Sequence, residues 1–593
     1  MKNKINEIFN SLRNEFVIIG LTGAVGSGCT TVASLLEKKY STDEMNQFIS
    51  NYSCENKFDL EYRKLLRVKQ FYSSNEWKNF YNIKVSNLLL LLLIAHIDDF
   101  EQIPQICDFI SNNEMSGDIS KIFKKQEKND LKKLADRFIN AINNYDSSNE
   151  NMTDILESTN RLIEKNIEKD NEIYTSLFQA LGENIRNHAS IFVKKKNDSI
   201  YNKLSKFTNQ DLPIFIIPEM IRRVIKLLRI TLKKPHFFVI DALRNSYEIE
   251  FFRNRYQSFY LFSILASESC RKERISKDFN LSETEIKKIR DFEINPRGIA
   301  SQTINTCIGK GDIFINNNVQ CSSKTNLLQQ LIKYIALIRK PGLVTPTDDE
   351  RFMQVAFTAR YNSGCISRQV GAAVIGANGY LMGFGWNDVP EKHVPCLYRT
   401  PQQLLSNSSN SIFSTYEQSD SFYKHLEISL KDYTFKKELP FCFKDYQNDI
   451  ELDKKTNNIF DKKIANFPEE KEIIKKILKE SKLKNPTRER ALHAEENAFL
   501  QITKSGGQSV VGGTLYTTDS PCQLCSKKAM QLKMKRIVYI DAYPDISEAH
   551  TLKAGEKEQW PEFDMFSGAI GAAYFKLFIP IVGIKDEIDM LKE

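Results

Sequence analysis

Two short clusters hold the side chains best suited to chemistry: His493, Ala494 and Glu495 in the first, Pro521, Cys522 and Cys525 in the second. Imidazole and thiolate are the donors that zinc takes up in a tetrahedron, and a catalytic zinc keeps one of its four positions open. Cys522 and Cys525 are three residues apart, so at the start of a helix both sulfurs turn to the same side. His493 supplies a third ligand, and a water in the fourth position gives up its proton more readily there. Glu495 lies two residues past that ligand, close enough to reach the water without joining the coordination sphere. The competing reading is a structural zinc, which would be closed by a fourth protein ligand such as Cys365 or Cys396. The placement of Glu495 and the proline before Cys522 favour the catalytic one. The arrangement H-x-E…P-C-x-x-C is the pattern of zinc nucleobase deaminases, in which hydroxide attacks C4 of cytosine and the carboxylate moves protons to N3 and to the leaving ammonia.

These groups need elements to hold them. The hydrophobic pattern predicts a helix at 489–503 carrying His493, strands at 514–517 and 536–540 around the cysteines, and a final strand near 574–579. Upstream, a helix is expected at 351–360 and strands at 370–375 and 380–385. A polar stretch, about 401–486, interrupts the pattern. Its Ser/Asn-rich part at 406–414 reads as a flexible loop, and 469–482 reads as a surface helix.

The N-terminal part carries a second motif. FVIIGL (16–21) suits a buried parallel strand, and a glycine-rich turn and a helical pattern follow it. Gly23, Ala24, Val25, Gly26, Ser27, Gly28, Cys29 and Thr30 fit the phosphate-binding loop G-x-x-x-x-G-K-[ST] except at one position. Thr30 stands where a magnesium-ligating hydroxyl belongs, but Cys29 replaces the lysine that neutralises a transferring phosphoryl group. Binding of ATP, GTP or another nucleotide survives that change better than phosphotransfer does. Further strands are expected at 236–240, 259–265 and 312–316. Asp241 reads either as a magnesium-binding acid or as a capping residue after its strand. Arg271 and Arg274 read either as a phosphate clamp or as a solvated helix face. The stretch between, about 42–233, leans helical, and 341–350, with its prolines and threonines, reads as a linker.

At 593 residues the chain is too long for one compact domain. A formal charge of +8, from 83 basic and 75 acidic residues, is mild over this length; it suits an anionic nucleotide and does not by itself argue for a nucleic-acid groove. Residues 1–10 show no signal-peptide pattern, and the apolar run at 88–95 is too short to span a bilayer. These features place the protein in a reducing cytoplasm, where paired cysteines favour metal sites over bridges. Cys54, Cys107, Cys270, Cys307, Cys321 and Cys442 show no ligand spacing and read as buried small apolar residues.

Four segments in order carry a family resemblance. RYNSGCISRQVG (360–371), GFGWNDVP (383–390), HAEENA (493–498) and TTDSPCQLC (517–525) resemble the deoxycytidylate deaminases. The resemblance implies a cytidine-deaminase-like three-layer α/β/α domain, with about five strands between helices and the zinc ligands at two helix N-termini. It further implies that Asn387 contacts a sugar hydroxyl, that the Ala494 N–H faces the pyrimidine carbonyl, that Arg368 favours the phosphate, and that Tyr543, in YPDIS (543–547), lines the pocket. FFVIDALRN (237–245) resembles part of the small-nucleotide kinases. Nearly the whole chain is similar to the bacterial anti-phage dCTP deaminases, which fuse a P-loop domain to a deoxycytidylate-deaminase domain. The expected organisation is therefore α/β throughout. A P-loop nucleotide-kinase-like domain (1–340) with a helical insertion and a linker (341–350) precede a deaminase domain (351–593) with an insertion at about 401–486. The expected reaction is deamination of dCTP, dCMP or both, with Zn2+ as cofactor. An inhibitory RNA and homo-oligomerisation are implied by the resemblance, and no membrane partner is expected. The alternatives are an RNA- or single-stranded-DNA-editing deaminase, for which Lys436, Lys437, Phe441, Phe443 and Tyr446 would have to line the pocket mouth, and a nucleotide kinase with a regulatory deaminase-like domain.

Overall fold

The computed structural model describes residues 8, 13–50, 58–97, 125–148, 150–166, 171–191, 200, 204, 212–279, 293, 303–318, 326–406, 410–430, 439–463, 489–542 and 546–592. Among these the strands are β1 (Phe16–Thr22), β2 (Tyr81–Lys84), β3 (His236–Asp241), β4 (Phe259–Leu265), β5 (Ile313–Asn316), β6 (Gly371–Ile375), β7 (Leu381–Trp386), β8 (Thr514–Asp519), β9 (Arg536–Asp541), β10 (Glu562–Met565) and β11 (Gly568–Ala569). The chain divides into two compact units, Met1–Glu350 with Met565–Glu593, and Arg351–Asp564.

The first unit is built on a six-stranded sheet in the order β11-β5-β4-β1-β3-β2. β1 to β5 pair in parallel, and β11 is antiparallel to β5. Alternate residues of a strand point to opposite faces, so a sheet covered on both sides needs apolar residues at every position. Val17 and Ile19 of β1, with Phe237 and Val239 of β3, enter one core, while Ile18, Phe238 and Ile240 enter the other. The second core also takes the helix Val85–His96, whose leucine run is buried on all sides. No helix of the described residues is long and apolar enough to cross a membrane.

Four expectations about this unit are corrected. The stretch 42–233 is not all helical, because YNIK forms β2 beside β3. The segment 341–349 is packed rather than loose: Leu343 and Val344 are buried, and Lys64 Nζ donates to Pro346 O at 2.9 Å. The chain's last stretch, expected in the deaminase domain, belongs to this unit, since Gly568 and Ala569 pair with Phe314 and Ile313. The strand expected near 574–579 is the helix Gly571–Phe578, which buries Ala573 and Leu577, one turn apart, in the same core as Val17 and Ile19.

The second unit has a five-stranded sheet in the order β10-β9-β8-β6-β7. β6 is antiparallel to both β7 and β8, and β8 runs parallel to β9. The helix Ala494–Lys504 lies against β7, starting five residues later than expected because His493 is its N-cap. Side chains of that helix bind the strand's backbone: Asn497 Nδ2 donates to Trp386 O at 2.8 Å, and Phe384 N donates to Gln501 Oε1 at 2.9 Å. Of the stretch 406–414 expected as a flexible loop, 407–409 lie outside the described residues, while Asn410–Ile412 form a 3-10 turn and Phe413 is buried. The inserted segment's helices Pro401–Leu405, Asp420–Leu430 and Phe443–Lys463 accompany a small core of Leu404, Phe413, Phe422, Leu426, Phe441 and Ile450. The helix expected at 469–482 lies outside the described residues.

Candidate active site

His493 and Cys522 occupy equivalent positions, each the N-cap of a helix, Ala494–Lys504 and Gln523–Gln531. Both have extended backbone there, so their side chains project from the helix start instead of wrapping around it. Cys525 follows in the first turn of the second helix and is 1% exposed. His493 Nδ1 lies 3.4 Å from the sulfur of Cys522 and 3.4 Å from that of Cys525. The three donor atoms all fall within 4.8 Å of one another, and among the described residues no fourth Cys, His, Asp or Glu joins them. Neither Cys365 nor Cys396 closes the set. Two sulfurs and one imidazole nitrogen, converging on one point with a position left open, fit zinc in a catalytic site.

The electrostatics of the cluster match. Cys522 is pulled down to about 4, first by the hydrogen bond from Cys525, then by His493. Cys525 is pushed up by the same pair, so Cys522 ionises first. The thiolate beside it lifts His493 to about 9. Glu495 is 4% exposed, and burial lifts its carboxyl to about 7. Thr517 Oγ1 of β8 donates to Asp519 O at 2.8 Å and stands 3.4 Å from Glu495 Oε1.

Residues 452–541 match the family model "Cytidine and deoxycytidylate deaminase zinc-binding region". That stretch is a deaminase zinc-binding region. The deoxycytidylate deaminases of Enterobacteria phages T2 and T4 are each 42% identical over 52 residues, 9% of this chain. The chain matches only about a quarter of the length of these curated relatives, 27% and 26%. The dCMP deaminase of cyanophage S-TIM5, solved in apo form and in complex with dCMP and dUMP, is similar over 38% of this chain at 19% identity and a TM-score of 0.20, covering 100% and 99% of the two solved chains.

Around the deaminase region the other expected residues take defined places. Ala494 is fully buried in the first turn of its helix, between His493 and Glu495. Asn387 is buried, and both ends of its amide are engaged: Val370 N donates to its Oδ1 at 2.7 Å and its Nδ2 donates to Arg368 O at 2.8 Å. It thereby fixes the turn into β6. Arg368 is held by two acids, Asp519 at 2.5 Å and Asp541 at 2.7 Å. Burial holds both carboxyls above their usual range, Asp541 at about 7. Tyr543 lies outside the described residues, as do Cys54, Cys107 and Cys321. Cys307 is buried as expected, but Cys442 is not isolated: it hydrogen-bonds Cys396, and both line a small cavity with Cys365.

Thr517, Asp519 and Asp541 are the residues that sequence reasoning missed. A signal existed, because an acid follows each predicted strand, Asp519 just past 514–517 and Asp541 directly after 536–540. Parallel pairing of β8 with β9 places Asp519 opposite Asp541, where Arg368 bridges them. The aromatics of the editing alternative face inward. Phe441 is buried and stacks on Phe413, and Phe443 packs on Phe422, which leaves neither ring free to stack on a base; Lys436 and Lys437 lie outside the described residues.

Proposed function

We propose that this protein hydrolyses the 4-amino group of a free deoxycytidine nucleotide, dCTP, dCMP or both, giving the deoxyuridine nucleotide and ammonia. The observation that carries this reading is the open three-donor cluster of His493, Cys522 and Cys525 with buried Glu495 two residues past its histidine. His493, Cys522 and Cys525 would hold zinc, which when bound would supply a polarised water as nucleophile. Glu495 takes one proton from the water as the new C4–O bond forms and delivers it to N3, then takes the remaining proton from the C4 hydroxyl and gives it to the amino group, which leaves as ammonia as the C4–N bond breaks and the C4 carbonyl forms. Burial raises this carboxyl above its ordinary value, which favours a group that must take up a proton as well as release one. The Ala494 N–H takes the pyrimidine carbonyl, and Asn387 positions the turn that the sugar meets. Arg368, already committed to two acids, orients the strand ends and shares only its remaining donor capacity with a phosphate.

In the cell, depletion of dCTP by this reaction would starve phage replication, and the P-loop unit would bind a nucleotide to regulate it. The test is incubation of the purified chain with dCTP, dCMP, CTP and cytidine, with and without chelator. Deoxyuridine nucleotide and ammonia are expected from the deoxynucleotides, and chelator abolishes both. Turnover of oligonucleotides alone, or turnover indifferent to chelator, rejects the reading. The defensive role predicts that dCTP falls during infection with the wild type and holds steady with Glu495→Gln.

A further inference from the structure

The loop 23–30 joins β1 to the helix Cys29–Glu37, and its last glycine, Gly28, has φ +99°, a conformation that side chains rarely adopt. Successive N–H groups in such a loop form an anion cradle at the helix start. Above it is a cavity of about 300 Å³, lined among others by Thr30, Asp241, Arg186, Arg244, Phe178 and Leu89. The position of the missing lysine holds Cys29, whose thiol burial pushes up to about 11, so it is neutral and brings no charge to the cradle.

Two arginines bring it instead. Arg244 Nη1 donates to Gly23 O at 3.2 Å, at the start of the loop. Arg186 is 4% exposed; its Nε donates to Glu248 Oε1 at 2.8 Å, while its Nη1 has no hydrogen-bond partner among the described residues. Burying a guanidinium with an unmet donor is costly unless something supplies the acceptor. The other oxygen of Glu248 accepts from Arg244 N and Asn245 N, so one buried carboxylate fixes both arginines. An anion already sits on the loop: Val25 N donates to Glu293 Oε1 at 2.9 Å, and Arg244 Nη1 reaches the same oxygen at 3.3 Å. A backbone amide and a guanidinium converging on one oxygen is the arrangement that a phosphate oxygen would meet.

We propose that this cavity binds the phosphates of a nucleoside triphosphate, with Arg186 and Arg244 in place of the absent lysine and Glu293 as the internal carboxylate that the phosphate displaces. The apolar wall at Phe178 and Leu89 receives the base. Arg274 does not serve as a clamp over the ligand; it donates to the carbonyls of Gly26 and Ser27 and so braces the loop. Because no cation stands at position 29, the site binds without transferring a phosphoryl group.

The inference rests on the reading of loop 23–30 as a phosphate site, and calorimetric titration of the full-length chain with ATP, GTP and tripolyphosphate in magnesium separates the two. Purine nucleotides avoid the proposed deaminase site. Wild type is expected to bind a purine triphosphate more tightly than tripolyphosphate. Arg244→Ala is expected to weaken binding at least tenfold. Glu293→Gln, which keeps the shape and removes the competing charge, is expected to tighten it several-fold, and thermal melts confirm that both variants fold. No binding by either wild type or Glu293→Gln overturns the phosphate reading itself. Binding that is the same in wild type, Arg244→Ala and Glu293→Gln leaves the loop as a phosphate site but overturns the roles given to the arginines and the glutamate.

Discussion

Adding a single methyl group to β7 is expected to disable the proposed deaminase. A Cβ built on Gly385 would stand 2.4 Å from Ala498 N and 2.5 Å from Ala494 O. Both are backbone atoms of the helix that begins after His493, so no side chain can rotate away. Ordinary contact begins near 3.4 Å, and the helix must therefore withdraw by about 1 Å. That withdrawal moves His493 away from two sulfurs each 3.4 Å distant and carries Glu495 with it. Overpacking of this kind costs about 1–3 kcal/mol of stability, and a 1 Å misplacement of reacting groups costs about 10²-fold in rate. Gly385→Ala should thus lower the melting temperature and cut kcat for dCMP or dCTP by about two orders of magnitude, with reduced zinc content. Ammonia release, metal analysis and a thermal melt on the same sample test this. Gly309→Ala, where a Cβ meets nothing within 4 Å, is the control and should be silent. A Gly385→Ala protein with wild-type rate and wild-type melting temperature would refute the claim that this close approach seats the helix.

Glu495→Gln should reduce turnover by about 10²–10⁴-fold while zinc stays bound, since the residue moves protons and is not a ligand; loss of metal in this variant would reassign it. Cys522→Ala should lose metal and activity together, and metal analysis at full occupancy would remove Cys522 from the ligand set. Burial raises the Asp541 carboxyl from 3.8 to about 7, with Arg368 opposing and Asp519 reinforcing. The folded chain therefore holds this proton more tightly than the unfolded one, and the stability it contributes is present at low pH and lost as pH rises through about 7. Melting temperatures measured from about pH 4.5 to 7.5 should fall less steeply for Asp541→Asn than for wild type, and parallel curves would exclude the effect. Glu417→Gln, which weakens a carboxylate wholly buried between Arg399 and Arg490, should destabilise the second unit by about 3–5 kcal/mol, measurable by denaturant unfolding.

Each half of the three-donor cluster was legible because its geometry is local, although only packing of two helices brings His493 to the cysteines. An N-cap residue and a C-x-x-C at a helix start place their side chains by backbone rules that one sequence obeys visibly. The buried strands β1, β3 and β4 were legible for a similar reason, as continuous apolar runs. What depends on register was not. Asp519 and Asp541 lie in separate strands, and only parallel pairing of those strands puts them on either side of Arg368. The expectation that Arg368 favours a phosphate considered the arginine without its acids. The tail misled because Tyr574, Phe575, Phe578 and Ile579 have strand-forming side chains, whereas the burial of Ala573 and Leu577 at helical spacing decides the outcome. β2 was missed because four residues with a single fully buried side chain leave too short a pattern to read.

The inserted segment shows why a polar composition can hide a structural purpose. Glu417 is wholly buried, accepting from Arg399 Nη1 at 2.7 Å and from Arg490 Nη2 at 2.8 Å. Arg490 also lies over the Phe443 ring, and Lys444 pairs with Glu489 at 3.4 Å. On its other side the same run of chain is fastened to the end of β7, where Leu492 N donates to Asp388 O at 2.8 Å and Asp388 N donates to Leu492 O at 3.2 Å. Residues 489–492 are therefore gripped from two directions just before His493 emerges. A buried ion pair adds little net stability relative to an apolar core, yet it tolerates few geometries, because a displaced charge loses its partner in a medium that cannot solvate it. The insertion's Glu417, paired with Arg399 and Arg490 on either flank of it, braces the chain just before His493 and so bears on the site by position and not by contact.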